Sequence, residues 1–346
     1  MSPKNNRRLP PAGRPQKTVV CPTVERRLRP GVTSFSKTVV LALGGNAITR
    51  PGEPGTIPQQ FQHTAETLEH LKPLFRSSAR IVITHGNGPQ IGNILIRVEE
   101  GECRVPRLPV DTCVADSQGG MGYMIQRLAL EMFRREGIRR HVATIITQVL
   151  VAGDDPEFAH PTKPIGQYYT AEEAEQIRVE KPHWDLRLVD RRQYRRVVPS
   201  PRPLQVLESE PIRALLDAGV VVIACGGGGI PVAWENDHIV GVEGVVDKDL
   251  ASCLLATSIH AQQFLIVTSV EQAAIRYGKP GQQWLESITV QQARAYLAAG
   301  EFPAGSMGPK IQAAIQFIEQ GGQECIITSA ERVAEAMEGR AGTHIR

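Results

Sequence analysis

No stretch of this sequence approaches the roughly 18 consecutive apolar residues that a membrane-crossing helix needs, so no membrane partner is expected. Its start carries no apolar segment of the kind a secretory signal contains, and export by that route is not expected either. The six cysteines (Cys21, Cys103, Cys113, Cys225, Cys253, Cys325) include no CxxC pair and have no histidine at metal-binding spacing. In a chain this long, such scatter points to reduced thiols in a cytoplasmic protein, with no metal held by protein ligands. Two common nucleotide schemes are missing as well: there is no GxGxxG and no GxxxxGK[ST]. A bound nucleotide would have to be held by some other arrangement.

What is present is a chain of 346 residues, 41% hydrophobic and 22% charged. That is enough for a sizeable core, arranged as one large α/β domain or two ordinary ones. Its charge is unevenly placed. Residues 1–36 are Pro-rich and carry eight Lys/Arg against Glu25 alone, so the net +3 divides into +7 there and −4 over the remainder. The remainder offers no basic surplus for nucleic acid. Residues 1–36 read as a basic, disordered extension. A transit peptide or a nucleic-acid arm are the alternatives left open.

From Thr38 the pattern becomes regular. Val39–Leu43 is an unbroken apolar run ending in Gly44-Gly45-Asn46, which reads as a strand buried on both faces. Gln59–Phe75 reads as a helix, Ile81–Thr84 as a second strand ending in HGNGPQ (85–90), and Ile91 opens another helix. Strand, glycine turn and helix in succession indicate a mainly parallel sheet. Pro109–Gly120 reads as a polar loop, Met121–Arg135 as an amphipathic helix, and Val142–Val151 as one strand. Residues 153–198 interrupt the pattern with charge and with Pro161, Pro164 and Pro182, as a small protruding lid subdomain would. The pattern then resumes. Helices are expected at 211–218, 249–257, 290–299 and 310–320, and strands at 220–224 and 264–268, with Glu324–Thr328 as the last strand. Residues 37–346 thus form one α/β domain carrying a lid.

Three glycine turns, GGN (44–46), HGNG (85–88) and GGGG (226–229), end buried strands. Turns on one edge of a sheet expose backbone N–H groups that suit phosphates. Lys248 lies between Asp247 and Asp249 at a helix start, and Lys310 follows Gly305-Ser306-Met307-Gly308 at another. A lone Lys–Asp pair is usually a surface ion pair worth about 0–1 kcal/mol. Two lysines at two helix starts beside glycine turns favour a phosphoryl clamp instead, because phosphoryl transfer needs positioning and charge neutralisation rather than a protein nucleophile. His85 reads as structural, and Cys225 as a small buried hydrophobe.

GGNAI, HGNGPQ-x-GN, PVDTCVADSQGGMGY, PTKPIG, VVPSPRP, CGGGGIPV, GVEGVVDKDLAS, YGKP and GSMGPKI-x-AAI-x-F run in that order over residues 38–330. Together they resemble the carbamate kinases of the amino-acid kinase family. The resemblance implies a three-layer αβα sandwich, a homodimer, and Mg²⁺-dependent phosphoryl transfer between ATP and carbamate. Family enzymes mostly run toward ATP, closing arginine, agmatine or purine catabolism. Carried over residue by residue, Gly44, Gly45 and Asn46 meet the transferring phosphoryl and the small substrate, and Gly86, Asn87 and Gly88 bind on the carbamate side. Lys248 and Lys310 neutralise the phosphoryl, Asp249 holds both lysines, and Lys163 reaches in from the lid. Gly226 and Gly227 shape the floor of the nucleotide site, with Tyr277, Gly305, Ser306 and Met307 flanking adenine and ribose.

Departures from the family pattern are few. Ser269 and Glu271 stand where acidic residues are common, Gly308 replaces a bulkier residue, and the run Asp190–Arg196 is unusually Arg-rich and reads as a solvated face. Three rivals remain at this level: the same fold acting on acetylglutamate or another amino acid, a catalytically silent metabolite sensor, and a nucleic-acid binder built on the N-terminal arm.

Overall fold

A computed structural model describes residues 35–50, 52–190, 193–303 and 306–346. The extension expected at 1–36 lies outside them apart from Phe35 and Ser36. β1 (Lys37–Leu43) is the strand its apolar run predicts. The single helix read over 59–75 is two, α1 (Ile57–His70) and α2 (Lys72–Arg76). Pro73 has no N–H for the carbonyl of Glu69, so the rod breaks at Leu71. β2 (Ala79–His85) and α3 (Gly88–Gly101) follow. α4 (Val110–Arg135) then takes in the whole stretch read as a polar loop. Its early polar residues are not loop residues: Ser117 and Gln118 are buried and hydrogen-bonded toward the sheet edge.

The strand read at 142–151 divides into β3 (Val142–Thr144) and β4 (Gln148–Val151), which belong to different sheets. Gln118 holds the bend between them, accepting from Thr147 N at 2.8 Å and donating to Thr147 O at 3.0 Å. β5 (Lys163–Tyr169), α5 (Ala171–Glu180), β6 (Asp185–Asp190) and β7 (Gln193–Val198) make up most of the segment read as a lid. Next come β8 (Pro203–Val206), α6 (Ser209–Asp217), β9 (Val221–Ile223) and the hairpin β10 (Ile230–Glu235) to β11 (His238–Gly241). α7 (Lys248–Ser258), β12 (Gln263–Thr268), β13 (Ala274–Ile275), β14 (Gln283–Trp284), β15 (Ser287–Ile288) and α8 (Val290–Ala298) continue the chain. α9 (Met307–Glu319), β16 (Glu324–Ser329), α10 (Val333–Met337) and β17 (Thr343–Ile345) complete it. The strand at 324–329 is therefore not the last, since β17 returns antiparallel beside it.

The main sheet has eight strands in the order β15-β17-β16-β12-β1-β2-β9-β3, and β12, β1, β2, β9 and β3 run parallel. Alternate residues of β1 enter two separate cores. Val40 and Ala42 pack with α6, α7 and α9, whereas Val39, Leu41 and Leu43 pack with α1, α2, α4 and α10. A strand flanked by helices on both faces has no solvent side, which is why its sequence shows no period of two. The result is the expected three-layer αβα sandwich. Leu43 pairs with both His85 and Val267, so the strand ends at β1, β2 and β12 come out level on one edge.

The lid is a three-stranded antiparallel sheet, β5-β7-β6, with α5 against it. Thr170 and Glu173 cap α5 reciprocally, and Tyr169, Ala174, Trp184 and Leu186 form its small core. It is fastened to α3 at Glu99, which accepts from Arg196 at 2.7 Å, Trp184 at 3.0 Å and Lys181 at 3.1 Å. Burial opposes the Glu99 charge, but Arg196 and Lys181 still hold its carboxyl below the ordinary range. Gly92 of α3 lies so close to Gly166 of β5 that any Cβ there would overlap the Gly166 backbone. No helix among the described residues is long and apolar enough to cross a membrane.

Candidate active site

The parallel strands deliver the glycine turns to one edge. Gly44 N donates to Val267 O at 2.9 Å, and a Cβ on Gly44 would lie 2.7 Å from that oxygen, so a larger residue would push β1 away from β12. Gly45–Ala47 follow as one 3-10 turn. At the end of β2, Gly86 N donates to Leu43 O at 3.2 Å, and Asn87 is pinned by its Nδ2 to Ser117 Oγ at 2.8 Å. Beyond β9, Gly227 has φ +67 and faces Asn87 so closely that a Cβ would overlap the amide.

Two helix starts bring the charges. Asp247 caps α7, its Oδ1 accepting from Asp249 N at 2.9 Å and Leu250 N at 3.3 Å. Its Oδ2 accepts from Lys163 Nζ, which reaches across from the first residue of β5. Asp249 is nearly buried and takes a hydrogen bond on each oxygen, from Lys248 Nζ at 2.5 Å and from Lys310 Nζ at 2.9 Å. Lys310 sits in the first turn of α9, which starts at Met307 and not at Lys310 as the sequence suggests.

Three ammonium groups thus share two carboxylates in a largely desolvated spot. Burial pushes the Asp249 carboxyl up, but Lys248 and Lys310 together bring it far below the ordinary carboxylate range. Asp247 is lowered too: burial and Asp249 push it up, but Lys163 and Lys248 together bring it down. Burial, seconded by Lys310, lowers Lys248 below an ordinary lysine, and Asp249 works against that fall. An anion entering here meets surplus positive charge at the positive ends of the α7 and α9 dipoles. His85 is not part of this chemistry. Buried against Gly226, with Nδ1 3.1 Å from Gly86 O, it is pushed down to about 4 and stays neutral. Cys225 is equally buried and its thiol is pushed up, as befits a packing residue.

Two cavities open on this edge. One of about 920 Å³ runs past Gly44, Thr268, Tyr277 and Met307. The other, of about 580 Å³, is walled by Gly86, Asn87, Gly88, Lys163 and Lys248, with Asp249 behind. They share Gly45, Arg50, Arg195, Ser306 and Lys310. The larger has the volume of a typical small-molecule site.

Most of the residues picked from sequence meet here. Gly44, Gly45, Gly86, Asn87, Gly88, Lys163, Lys248, Asp249, Lys310, Tyr277, Ser306 and Met307 all line one cavity or both. Gly226 and Gly227, expected to shape the floor of the nucleotide site, do not line the larger cavity. β9 lies beyond β2 from β12, so its turn falls on the Lys248 side; Gly227 lines the smaller cavity, and Gly226 is packed beneath it on His85 and Gln118. Gly305 and the side chain of Asn46 lie outside the described residues.

Sequence reasoning missed Arg50, Arg195 and the supports Ser117 and Gln118. Two residues of the Arg-rich run are not solvated, since Arg195 lines both cavities and Arg196 is paired with Glu99, while Arg191 and Arg192 lie outside the described residues. Neighbouring residues of a strand point to opposite faces, and that alternation was the available clue.

Comparison with known proteins agrees with this architecture. The model of the Amino acid kinase family matches residues 37–329. Carbamate kinase of Pyrococcus furiosus is 44% identical over 313 residues, covering 90% of this chain and 99% of that protein. Carbamate kinase 2 of Staphylococcus aureus strain Mu50 is 46% identical over 309 residues, covering 89% and 98%. Among solved structures, carbamate kinase from Giardia lamblia bound to AMP-PNP superposes with a TM-score of 0.81 at 40% identity, over 89% of this chain and 98% of that one. The chain is a phosphotransferase that belongs to the amino acid kinase family, within its carbamate kinases.

Proposed function

We propose that this enzyme transfers a phosphoryl group reversibly between ATP and carbamate, and that it works mainly from carbamoyl phosphate and MgADP toward ATP. The observation that carries the proposal is the Lys248–Asp249–Lys310 triad in the wall of the smaller cavity, with Lys310 where that cavity meets the larger one. A nucleotide in the larger cavity and a small anion in the smaller one would meet at Gly45 and Lys310, the arrangement that in-line transfer needs.

In this reading Tyr277, Ser306 and Met307 hold adenosine, and the turn after Gly44, through the Gly45 N–H, cradles the migrating phosphoryl. Gly86, Asn87 and Gly88 hold the carbamate end. Lys248 and Lys310 neutralise charge as it spreads over the equatorial oxygens, and Asp249 keeps both ammonium groups aimed without reorganisation. Carbamate is already an anion, so no general base is required, which fits a neutral His85. Mg²⁺ enters as part of MgADP. Among the described residues no group of three His, Cys, Asp or Glu is placed to hold an ion, and Mg²⁺ commonly binds through substrate phosphates with few protein carboxylates.

The direction, together with a role in arginine, agmatine or purine catabolism in the cytoplasm, belongs to the same proposal. So does a homodimer. Tyr123, Leu130 and Ile146 are exposed around a cavity of about 570 Å³ beside β3, the edge strand of the main sheet, and a second copy would cover them. Phosphorus NMR of ATP incubated with Mg²⁺ and either carbamate or N-acetylglutamate tests the acceptor. Carbamoyl phosphate should form with carbamate alone, and an acyl phosphate formed only with N-acetylglutamate would contradict the reading.

A further inference from the structure

β7 places two arginines side by side, and their side chains leave the strand on opposite faces. Arg196 turns toward α3, where its Nη1 donates to Glu99 at 2.7 Å and its guanidinium lies 4.4 Å from the centre of the Trp184 ring. It is neutralised and structural. Arg195 turns into the junction of the two cavities.

There its Nη2 donates to Gly166 O at 2.7 Å, and the guanidinium carbon sits 4.8 Å from the centre of the Tyr168 ring. The same nitrogen lies 4.0 Å from where a Cβ of Gly88 would be, beside the N-terminus of α3. Among the described residues no carboxylate stands within ion-pair distance of Arg195, and its buried Nε has no hydrogen-bond partner. A guanidinium carries five N–H donors in a planar fork suited to phosphate oxygens. The Gly166 carbonyl takes one of them.

Burying a cation without a counter-charge is costly, and burial does push Arg195 below an ordinary arginine, with Tyr168 opposing. Lys163, another lid cation and part of the wall of the smaller cavity, already has Asp247. Arg195 thus lines the place where the two cavities meet, and no carboxylate among the described residues pairs with it.

We propose that Arg195 binds the transferring phosphoryl group directly, as a second lid-borne cation, and so ties the lid to the presence of an anion at the junction. The proposal rests on the phosphoryl-transfer reading above and adds to it a residue and a coupling. Its oxygens would bridge Arg195 on the lid and Lys310 on the sandwich, leaving the lid held from both sides.

Two measurements on the full-length chain test this. In steady-state ATP synthesis, Arg195→Met should raise the KM for carbamoyl phosphate about 10-fold or more, and raise it more than the KM for MgADP. Arg195→Lys should fall between wild type and Met. Activity of Arg195→Ala should recover in part with added guanidinium, which an arginine serving architecture alone would not show. Unchanged constants in Arg195→Met overturn the proposal. Calorimetric binding of inorganic phosphate, which needs no turnover, should be about 10-fold weaker in Arg195→Met, and equal binding would overturn it. A wild type that binds phosphate through Arg195 yet makes no ATP would remove the carbamate reading and leave this one standing. If Arg195→Met loses its fold by circular dichroism, Arg195→Lys carries both measurements.

Discussion

Lys248 and Lys310, from the first turns of two different helices, are held on the two oxygens of a single carboxylate, Asp249, at 2.5 and 2.9 Å. One buried anion therefore fixes the spacing of two cations that would flank a phosphoryl group. It also supports the charge on Lys248 against the burial that lowers it.

Asp249→Asn should consequently act in two ways. Turnover should fall by about 100-fold or more, as expected when preorganised charge is lost. The alkaline limb of the pH–rate profile should also move to lower pH, because removing the carboxylate lets the pKa of Lys248 fall further and its proton is lost sooner. A rate profile that keeps its alkaline limb in place would count against Lys248 as a charged participant.

His85 gives a prediction about stability. The folded chain holds it neutral down to about 4, whereas an unfolded histidine takes a proton near 6.5. Between those values the unfolded state binds more protons, so stability falls as pH drops from about 6.5 to 4, by about 3 kcal/mol from this group. Urea denaturation of His85→Asn should show a shallower loss across that window than wild type. Parallel curves for the two proteins would rule this account out.

Gly227 tests how tightly the floor of the smaller cavity is built. At φ +67, with the Asn87 amide pressed against it, Gly227→Ala meets both backbone strain and overlap. An unfolding free energy lower by about 1–3 kcal/mol is expected, with a raised KM for the small substrate as Asn87 is displaced. Chemical denaturation and initial rates measure the two effects.

The sequence carried much of this in particular residues. The unbroken run Val39–Leu43 announced a strand with no solvent face, and both of its faces are buried in separate cores. Lys248 and Lys310, chosen for their place at helix starts, do converge, on the Asp249 that the family resemblance supplied. What stayed hidden depended on contacts distant in sequence. Ser117 and Gln118 looked like loop residues because their partners, Asn87 and Thr147, lie about 30 residues away along the chain. The break between β3 and β4 is invisible in an apolar run, since either half could continue in one sheet. The side of the site served by Gly226 and Gly227 followed from the order β12-β1-β2-β9, which no local pattern encodes. Arg195 and Arg196 look alike in the sequence, and only the fold decides that one enters the cavities while the other finds a carboxylate.

The central claim is that charge gathered around Asp249 serves phosphoryl transfer from carbamoyl phosphate. Its most direct test is luciferase-coupled detection of ATP from MgADP and carbamoyl phosphate, run on wild type, Lys248→Ala and Lys310→Ala. The account predicts sustained ATP formation by the wild type and a loss of about 100-fold or more in each lysine variant. Full activity in either lysine variant, or a wild type that makes no ATP, would contradict it.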